Sequence, residues 1–283
     1  MKLKVRKIYS FVTKDFWTAL STFILTIFAL VAILGKWILP YPSEGSGTPN
    51  VDHVHIGPGA AHWLGTDELG RDLLSRLMYG ARSVLFTSLL VVIVAALVGT
   101  VLGLLAAFFG GWIDNAIMNI SSLFLSFPPL LLSLVAVSLL GPGLKNSLIA
   151  LMISWWPWYA RLIRNEARFV KLRPFVEIAE SMGISRRRII FRHLLPNVTS
   201  PLIIQFAADL GTVILAAGSL AFIGLGAQPP AADWGLLVAQ GRSVIFDQWW
   251  ISTFAGLAIF LVVLAFNSIG DVLRDHFDPR RSQ

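Results

Sequence analysis

Long runs without a charged residue constrain the fold of this chain more than any other feature. Residues 16–35, 83–113, 115–144 and 248–270 contain no Asp, Glu, Lys or Arg. Because a helix rises about 1.5 Å per residue, roughly 20 residues cross the hydrocarbon core of a bilayer, and each run is long enough to do so. The chain is 55% hydrophobic and only 14% charged, which is too apolar for a soluble protein of 283 residues. We therefore predict an all-α polytopic membrane protein.

Two further stretches complete a prediction of six transmembrane helices. Residues 146–160, the fourth span, are 15 uncharged residues and reach only about 22 Å as a helix. Arg161 and Arg164 must therefore extend toward the interface. The fifth span lies within residues 198–232. Four aromatic residues before Arg161 are typical of an interfacial belt: Trp155, Trp156, Trp158 and Tyr159.

These spans divide the chain into three parts. Residues 1–82 comprise a basic N-terminus, an uncleaved first transmembrane helix and an external segment rich in Pro and Gly. Residues 83–275 form a core of five transmembrane helices that contains a long polar loop at residues 161–197, and residues 276–283 form a cytoplasmic tail. The external segment after the fifth span has Gly and Pro signals around a short apolar run, so we expect it to dip back toward the pore.

Lys and Arg residues are distributed unequally between the two sides of the predicted membrane. The N-terminus, the polar loop and the C-terminus together hold 17 of the 23, and the opposite segments hold six. Cytoplasmic segments of membrane proteins carry such an excess. The distribution predicts that both termini and the polar loop are cytoplasmic.

The polar loop at residues 161–197 is predicted to form two short helices. Pro174 suits a first helical turn, and apolar residues then recur at spacings of three and four: Phe175, Ile178, Ala179 and Met182. Gly183 is placed to end the first helix, Ser185 to cap the second and Pro196 to close it. Such short helices need a surface to pack on. That surface is either the membrane side of this protein or a soluble partner.

The polar loop also carries a specific short motif. Glu177-Ile178-Ala179 is followed by Gly183 six residues after the glutamate, and then by Leu194-Leu195-Pro196. This spacing resembles the EAA loop of permease subunits in binding-protein-dependent ABC importers. Four further motifs are similar to the peptide and nickel branch of that family, and they lie at residues 65–67, 70–72, 222–226 and 271–279.

The resemblance implies a type I ABC importer permease fold in a prokaryotic plasma (inner) membrane. In that family the loop is a coupling helix that sits in a cleft of an ATPase subunit, with the glutamate facing the ATPase. The residues carried over to coupling are Glu177, Ile178, Ala179, Met182, Gly183, Ile184 and Arg187. Arg187 belongs to a run of three arginines in the first turn of the second helix, where cations oppose the helix dipole. That arrangement indicates contact with acidic lipid or an acidic protein surface.

The resemblance also implies partners. These are a second, related permease subunit that completes a heterodimer, two ATPase subunits on the cytoplasmic side, an external solute-binding protein and membrane lipids. ATP and Mg²⁺ are expected on the ATPase subunits, with no cofactor in this chain. The expected cargo is a di- or oligopeptide, and nickel, a metal chelate or an oligosaccharide is the alternative.

Other functional classes fit the sequence less well. The chain lacks a G-x-x-x-x-G-K-[ST] phosphate loop, so it needs another subunit to use ATP. Its basic residues flank apolar spans, which argues against nucleic-acid binding. A membrane-embedded enzyme would need convergent reactive groups that the spans lack. An ion-coupled secondary transporter would carry more ionisable residues within the spans than the one found here.

Two pairs of residues in the external segment invite a chemical role. His53 and His55 are weak metal-ligand candidates, because His-x-His places both imidazoles on one side of an extended strand. The alternative is a solvated loop with incidental histidines. Asp67 and Asp72 are expected to form structural ion pairs with the neighbouring Arg71 and Arg76.

Four residues within the spans are candidates for the translocation pathway. Pro128 and Pro129 should kink the third span, because proline removes a helix hydrogen bond. Asp209 is placed about 18 Å along the fifth helix, near mid-membrane, with Gln205 one turn before it. A charge at that depth either faces the pathway or bonds a buried polar group such as Asn119 or Ser121.

Overall fold

The computed structural model describes residues 16–277, and within that range it is helical with no strand. The predicted basic N-terminus before residue 16 and the tail after residue 277 lie outside the described residues. The helices are α1 (Phe16–Ile38), α2 (Pro42–Ser46), α3 (Leu73–Phe109), α4 (Gly111–Leu125), α5 (Pro129–Leu140), α6 (Leu144–Lys171), α7 (Pro174–Ser181), α8 (Arg186–Ile189), α9 (Leu195–Asn197), α10 (Thr199–Phe222), α11 (Trp234–Arg242) and α12 (Trp249–Phe277). A 3₁₀ turn covers Val51–His53, and a π-helical turn covers Ile190–Leu194 between α8 and α9.

Four of these helices are long and apolar enough to cross a membrane, namely α1, α3, α10 and α12. The pair α4 and α5 makes a fifth crossing if it forms one bent span. The predicted fourth span lies in α6, which continues through the charged residues 161–171 instead of stopping at the membrane boundary. The multi-pass character is therefore confirmed for residues 16–277, and the count of six stays a prediction.

The kink predicted at Pro128 and Pro129 is confirmed. Helix α4 ends at Leu125, α5 begins at Pro129, and the two axes meet at 88°. Neither proline has a backbone N–H, and the ring of each crowds the preceding turn. A continuous helix through this point would lose its hydrogen bonds, so the chain turns instead.

Helix α3 is the central element of the fold, and three buried clusters follow one another along it. Its first part packs with α1, α10, α11 and α12, its middle with α5, α6 and α10, and its last part with α6 and the polar loop. Within the bilayer there is little hydrophobic force between helices, so close approach at small residues stabilises the contact. Because the third cluster joins the last part of α3 to the polar loop, this part of α3 supports the loop directly.

Helices α3 and α6 approach each other closely at Gly99 and Gly103. A Cβ atom added at Gly99 would lie 2.6 Å from the carbonyl oxygen of Trp156, and one added at Gly103 would lie 2.6 Å from that of Ala160. Real Cβ atoms do not come this near to a carbonyl oxygen. Glycine at both positions is therefore required for α6 to lie against α3.

The segment predicted to be external, residues 40–82, is fixed to other helices and loops by long-range hydrogen bonds. The Arg76 guanidinium donates to the carbonyl oxygens of Pro230 and Ala231 at 3.0 and 2.6 Å. The Trp234 indole donates to the Leu77 carbonyl at 2.9 Å, and the Trp250 indole donates to Thr66 at 3.0 Å. The segment between α10 and α12 contains helix α11, which is largely buried and packs against α3 and α12, while its predicted dip toward the pore stays a prediction.

The predicted ion pairs of this segment are right for one aspartate and wrong for the other. Asp67 Oδ2 accepts from Arg71 Nε at 2.7 Å. Asp72 instead caps α3 by accepting from the Ser75 N–H at 2.8 Å and lies 2.9 Å from His62 Nδ1. Side-chain capping satisfies an otherwise unpaired N–H at the helix start, which explains why Asp72 turns away from Arg76.

The histidines occupy an ordered polar cluster, so the expectation of a solvated loop is wrong. His62 is buried, and its Nε2 lies 3.3 Å from Nδ1 of His53. His53 lies in the 3₁₀ turn and His55 has a positive φ of 58°, so the two do not share one side of a strand. Within residues 16–277, no three His, Cys, Asp or Glu side chains converge on a metal-binding geometry.

Candidate coupling and translocation sites

The first helix of the polar loop, α7, has two faces with different surroundings. Val176 is buried against the end of α3, the end of α6 and the segment after α8, and Ala179 is also buried. Ile178 and Met182 are 58% and 75% exposed, and Phe175 is 41% exposed. The predicted apolar stripe is therefore divided, with Ala179 facing inward and its other members facing outward.

Glu177 lies on the exposed surface of α7, in its first turn. A carboxylate is favoured there by the helix dipole. Together with Ile178 and Met182, it forms a surface of one acid and two apolar side chains, which we call the coupling surface. Exposed apolar residues grouped on one surface are typical of interaction sites.

Gly183 ends the first helical stretch in the left-handed conformation that the sequence predicts. Its φ is 75°, and its N–H donates to Glu180 at 3.0 Å, while the next N–H, from Ile184, reaches back to Ala179 at 3.1 Å. These bonds close the end of α7. Nothing lies within 4 Å of a Cβ atom added at Gly183, so the backbone alone demands glycine at this turn.

The second half of the loop differs from the prediction at its end. Ser185 precedes α8 as predicted, but its side chain makes no capping hydrogen bond. Pro196 does not close the helix, since α8 continues through the π-helical turn into α9, which contains Pro196 at its start. Proline is tolerated in a first turn because its missing N–H would be unpaired there. The segment thus leads to α10 with only Val198 between α9 and α10.

A basic surface adjoins the coupling surface. Arg186, Arg187 and Arg188 are exposed, and within residues 16–277 no carboxylate forms an ion pair with them. The Arg186 guanidinium lies 6.0 Å from the Phe109 ring centre. A groove of about 370 Å³ separates this part of the loop from the end of α3, and Glu180, Ile184 and Ile189 contribute to its lining.

The candidate pathway residue Asp209 is buried between α10 and α6. Asp209 is only 7% exposed, and its Oδ1 accepts a hydrogen bond from Gln205 Nε2 at 3.1 Å. The side chains of Tyr159 and Trp155 on α6 lie beside it. Asp209 Oδ2 and the Tyr159 hydroxyl are both buried and lack a hydrogen-bond partner of good geometry within the described chain.

Asp209 bonds a polar group, Gln205, as one of the two expectations has it, but the two examples named for that bond, Asn119 and Ser121, are not its partners. Asn119 lies at the exposed surface, and Ser121 is buried with an unpaired hydroxyl. The neighbours of Asp209 across the helix interface come from α6 instead.

Two of the belt aromatics have a different role from the one predicted. Trp155 is 5% exposed and Tyr159 is fully buried, whereas Trp158 is 49% exposed. Residues four apart share a helix face, and residues 155 and 159 both point into the bundle. The i, i+4 spacing of Trp155 and Tyr159 is the sequence signal for their shared burial, and a count of aromatic residues alone does not detect it.

Comparison with known proteins agrees with this geometry. Residues 99–283 match the family model described as the binding-protein-dependent transport system inner membrane component. The chain is 41% identical over 264 residues to the "Probable D,D-dipeptide transport system permease protein" of Escherichia coli (strain K12), covering 93% of this chain and 87% of the relative. It is 40% identical to the glutathione transport system permease protein of Pectobacterium atrosepticum, with 93% and 86% covered.

A solved structure shares the fold. The inward-facing MetNI methionine ABC transporter contains a chain that superposes with a TM-score of 0.59 at 17% identity, covering 73% of this chain and 98% of that chain. At this identity the likeness concerns the fold alone. The family match and the two relatives establish the class: the chain belongs to the binding-protein-dependent transport system inner membrane component family and is a multi-pass ABC importer permease subunit of the peptide and nickel branch, whose ATPase is a separate subunit.

Proposed function

We propose that this chain passes a short peptide from an external binding protein to the cytoplasm, as one of two related permease subunits. The observation that carries the proposal is the 41% identity over 93% of the chain to a permease named for D,D-dipeptides. Glutathione, named for another relative, is itself a small peptide. Nickel, a metal chelate and an oligosaccharide are the competing cargoes. Family membership makes an ion-coupled secondary transporter the weaker alternative.

The coupling surface is proposed to dock in a cleft of the ATPase subunit. Three observations support this: Glu177, Ile178 and Met182 are exposed, the opposite face of α7 is buried in this protein, and Gly183 fixes the turn that follows. A movement of the ATPase would reach α3 and α6 through the buried contacts of Val176. Arg187 and its neighbours are proposed to meet acidic groups of the same partner, and Ile184 to hold the loop on α3.

A second permease subunit is proposed to cover the bent span. Helices α4 and α5 and the bend between them expose a series of large apolar side chains, including Leu123, Phe127, Leu131, Val135 and Leu139. An exposed surface of this kind suits lipid or a partner helix, and a polar pathway needs walls on all sides. We propose a heterodimer with two ATPase subunits. The bend at Pro128 and Pro129 would then line the pathway between the permeases.

Asp209 is proposed to hold α10 against α6. It is buried, it bonds Gln205 and it lies beside Tyr159 of α6. Charged groups at this depth are stabilised by polar neighbours rather than by lipid. Gln205, which is only partly buried, is the member of the pair that is proposed to reach the pathway.

The cargo can be tested with the purified importer and its binding protein. We expect a dipeptide-loaded binding protein to stimulate ATP hydrolysis several-fold over the empty protein, because the loaded form favours the transport-competent state. Glutathione, a nickel chelate and an oligosaccharide are the competing cargoes, and each is tested on the binding protein in place of the dipeptide. Stimulation by the nickel chelate or the oligosaccharide alone would exclude a peptide importer.

A further inference from the structure

A groove opens between α1 and α3 at one membrane boundary, away from the coupling surface and from Asp209. The two helices touch at Gly35, where an added Cβ atom would lie 3.1 Å from the Met78 carbonyl oxygen. Beside this contact the helices separate and leave a space of about 340 Å³. A space of this size is large enough for a headgroup and the start of an acyl chain.

Two cations face this groove. Lys36 directly follows the uncharged residues 16–35, and Arg82 directly precedes the uncharged residues 83–113. Their positions place both charges at the same boundary between polar and apolar surroundings. Both side chains are exposed, neither has a carboxylate partner within residues 16–277, and no acidic residue lines the groove. The groove therefore has an uncompensated positive charge.

The lining changes from polar to apolar in the direction of the membrane interior. Ala32 lies one helical turn inward from Lys36, and Phe86 lies one turn inward from Arg82. Phe86 is 63% exposed, so its ring is available to an acyl chain. Tyr79 and Ser83 add hydroxyl groups at the level of the cations. This order matches an amphiphile with an anionic head and an apolar tail.

We propose that this groove binds an anionic phospholipid, with its phosphate between Lys36 and Arg82 and an acyl chain along Ala32 and Phe86. A soluble anion would gain nothing from the apolar half, and a zwitterionic lipid would bring a cation against two cations. Trp37, whose ring lies 4.3 Å from Lys36 Nζ, is 67% exposed and sits at the depth that tryptophan favours beside headgroups. The bound lipid would hold α1 to the core helices.

The test is lipid retention by the intact importer complex in native mass spectrometry. Phosphatidylglycerol and phosphatidylethanolamine with identical acyl chains are titrated against the wild type and the double variant Lys36→Gln/Arg82→Gln. We expect the wild type to retain phosphatidylglycerol preferentially. Each basic residue near anionic lipid contributes roughly fivefold in affinity, so the double variant should bind about 10- to 30-fold more weakly.

Two controls make the result specific, and a single variant serves if the double variant fails. Lys145→Gln removes another exposed cation at the start of α6, outside the groove, and should leave retention unchanged. Arg82→Lys keeps the charge and should keep most of the binding. If the double variant does not assemble, Arg82→Gln alone carries the test with an expected loss of about fivefold.

Several outcomes would overturn the proposal. Equal retention of the two lipids by the wild type would remove the need for an anionic headgroup. Unchanged phosphatidylglycerol binding in the charge-removed variant, or an equal loss in Lys145→Gln, would place the lipid elsewhere. Displacement of the lipid by millimolar inorganic phosphate would show that the groove binds a soluble anion instead.

Discussion

Arg164 on α6 forms a bidentate ion pair with Asp114 on α4. Arg164 Nε lies 2.9 Å from Oδ1 of Asp114, and Nη2 lies 2.6 Å from Oδ2. Arg168 adds a longer contact of 3.7 Å to the same carboxylate. The pair joins the start of the bent span to the helix that leads into the polar loop. It thereby links the element proposed to line the pathway with the element proposed to meet the ATPase.

This ion pair should show measurable coupling. Asp114→Asn and Arg164→Gln should each lower the thermal stability of the purified complex, and the double variant should cost less than their sum. Because both side chains are partly exposed, we expect a coupling energy of only about 1 kcal/mol. Arg161→Gln is a control, since Arg161 donates to Ser122 and not to Asp114. Strictly additive effects would show that the pair does not stabilise the protein.

Substitution by alanine should lower the stability of the protein at Gly99 but not at Gly256. At Gly99 a Cβ atom would collide with the backbone of α6, whereas at Gly256 nothing lies within 4 Å. We expect Gly99→Ala to reduce stability by about 1–3 kcal/mol through overpacking. Gly256→Ala should be neutral or raise stability by up to about 1 kcal/mol through helix propensity. Thermal unfolding of both variants in detergent measures the difference, and a stable Gly99→Ala protein would contradict the described packing.

Much of this fold could be predicted from the uncharged runs. Residues 16–35, 83–113 and 248–270 fall largely within α1, α3 and α12, because only a helix can carry such runs through a bilayer. The bend at Pro128 was also predictable, because proline interrupts a helix through its own missing N–H and its ring. The length of α6 was not, because a helix can extend beyond the membrane into charged sequence, and nothing local marks the boundary.

The candidate sites were predictable only in part. Gly183 at the end of the first loop segment follows from local backbone chemistry, and the structure has it at positive φ. The division of the apolar stripe on α7 depends on the ends of α3 and α6, which are far away in sequence. The same holds for Tyr159 beside Asp209 and for His62 beside Asp72, because each pair is brought together by packing between separate elements.

The orientation can be tested with introduced cysteines, because the chain has none of its own. Ser46 and Ser185 are both exposed and lie on opposite sides in the proposed six-span arrangement. We expect a membrane-impermeant thiol reagent to label Ser46→Cys in intact cells and to label Ser185→Cys only after the membrane is opened. Labelling of Ser185→Cys in intact cells would reverse the proposed topology.

Asp209 should tolerate loss of its charge better than loss of its polarity. Asp209→Asn keeps the size and the bond to Gln205, so we expect normal assembly and near wild-type transport at acidic and neutral pH. Asp209→Leu removes the acceptor of the Gln205 amide and leaves that group without its partner, which costs about 1–3 kcal/mol where the group stays away from water. Assembly is read by the yield of intact complex. Full assembly of Asp209→Asn with abolished uptake would assign the charge to the pathway instead.

The most direct test of the central claim measures peptide uptake and ATP hydrolysis together in proteoliposomes that contain the complete importer. Glu177→Lys reverses the charge of the coupling surface, and Gly183→Val forces a β-branched residue into a left-handed turn. We predict that both variants insert and assemble, hydrolyse ATP without the normal stimulation, and lose at least tenfold in uptake, while the exposed external control Glu68→Lys retains both activities. Wild-type uptake with normal stimulation in both variants would contradict the account.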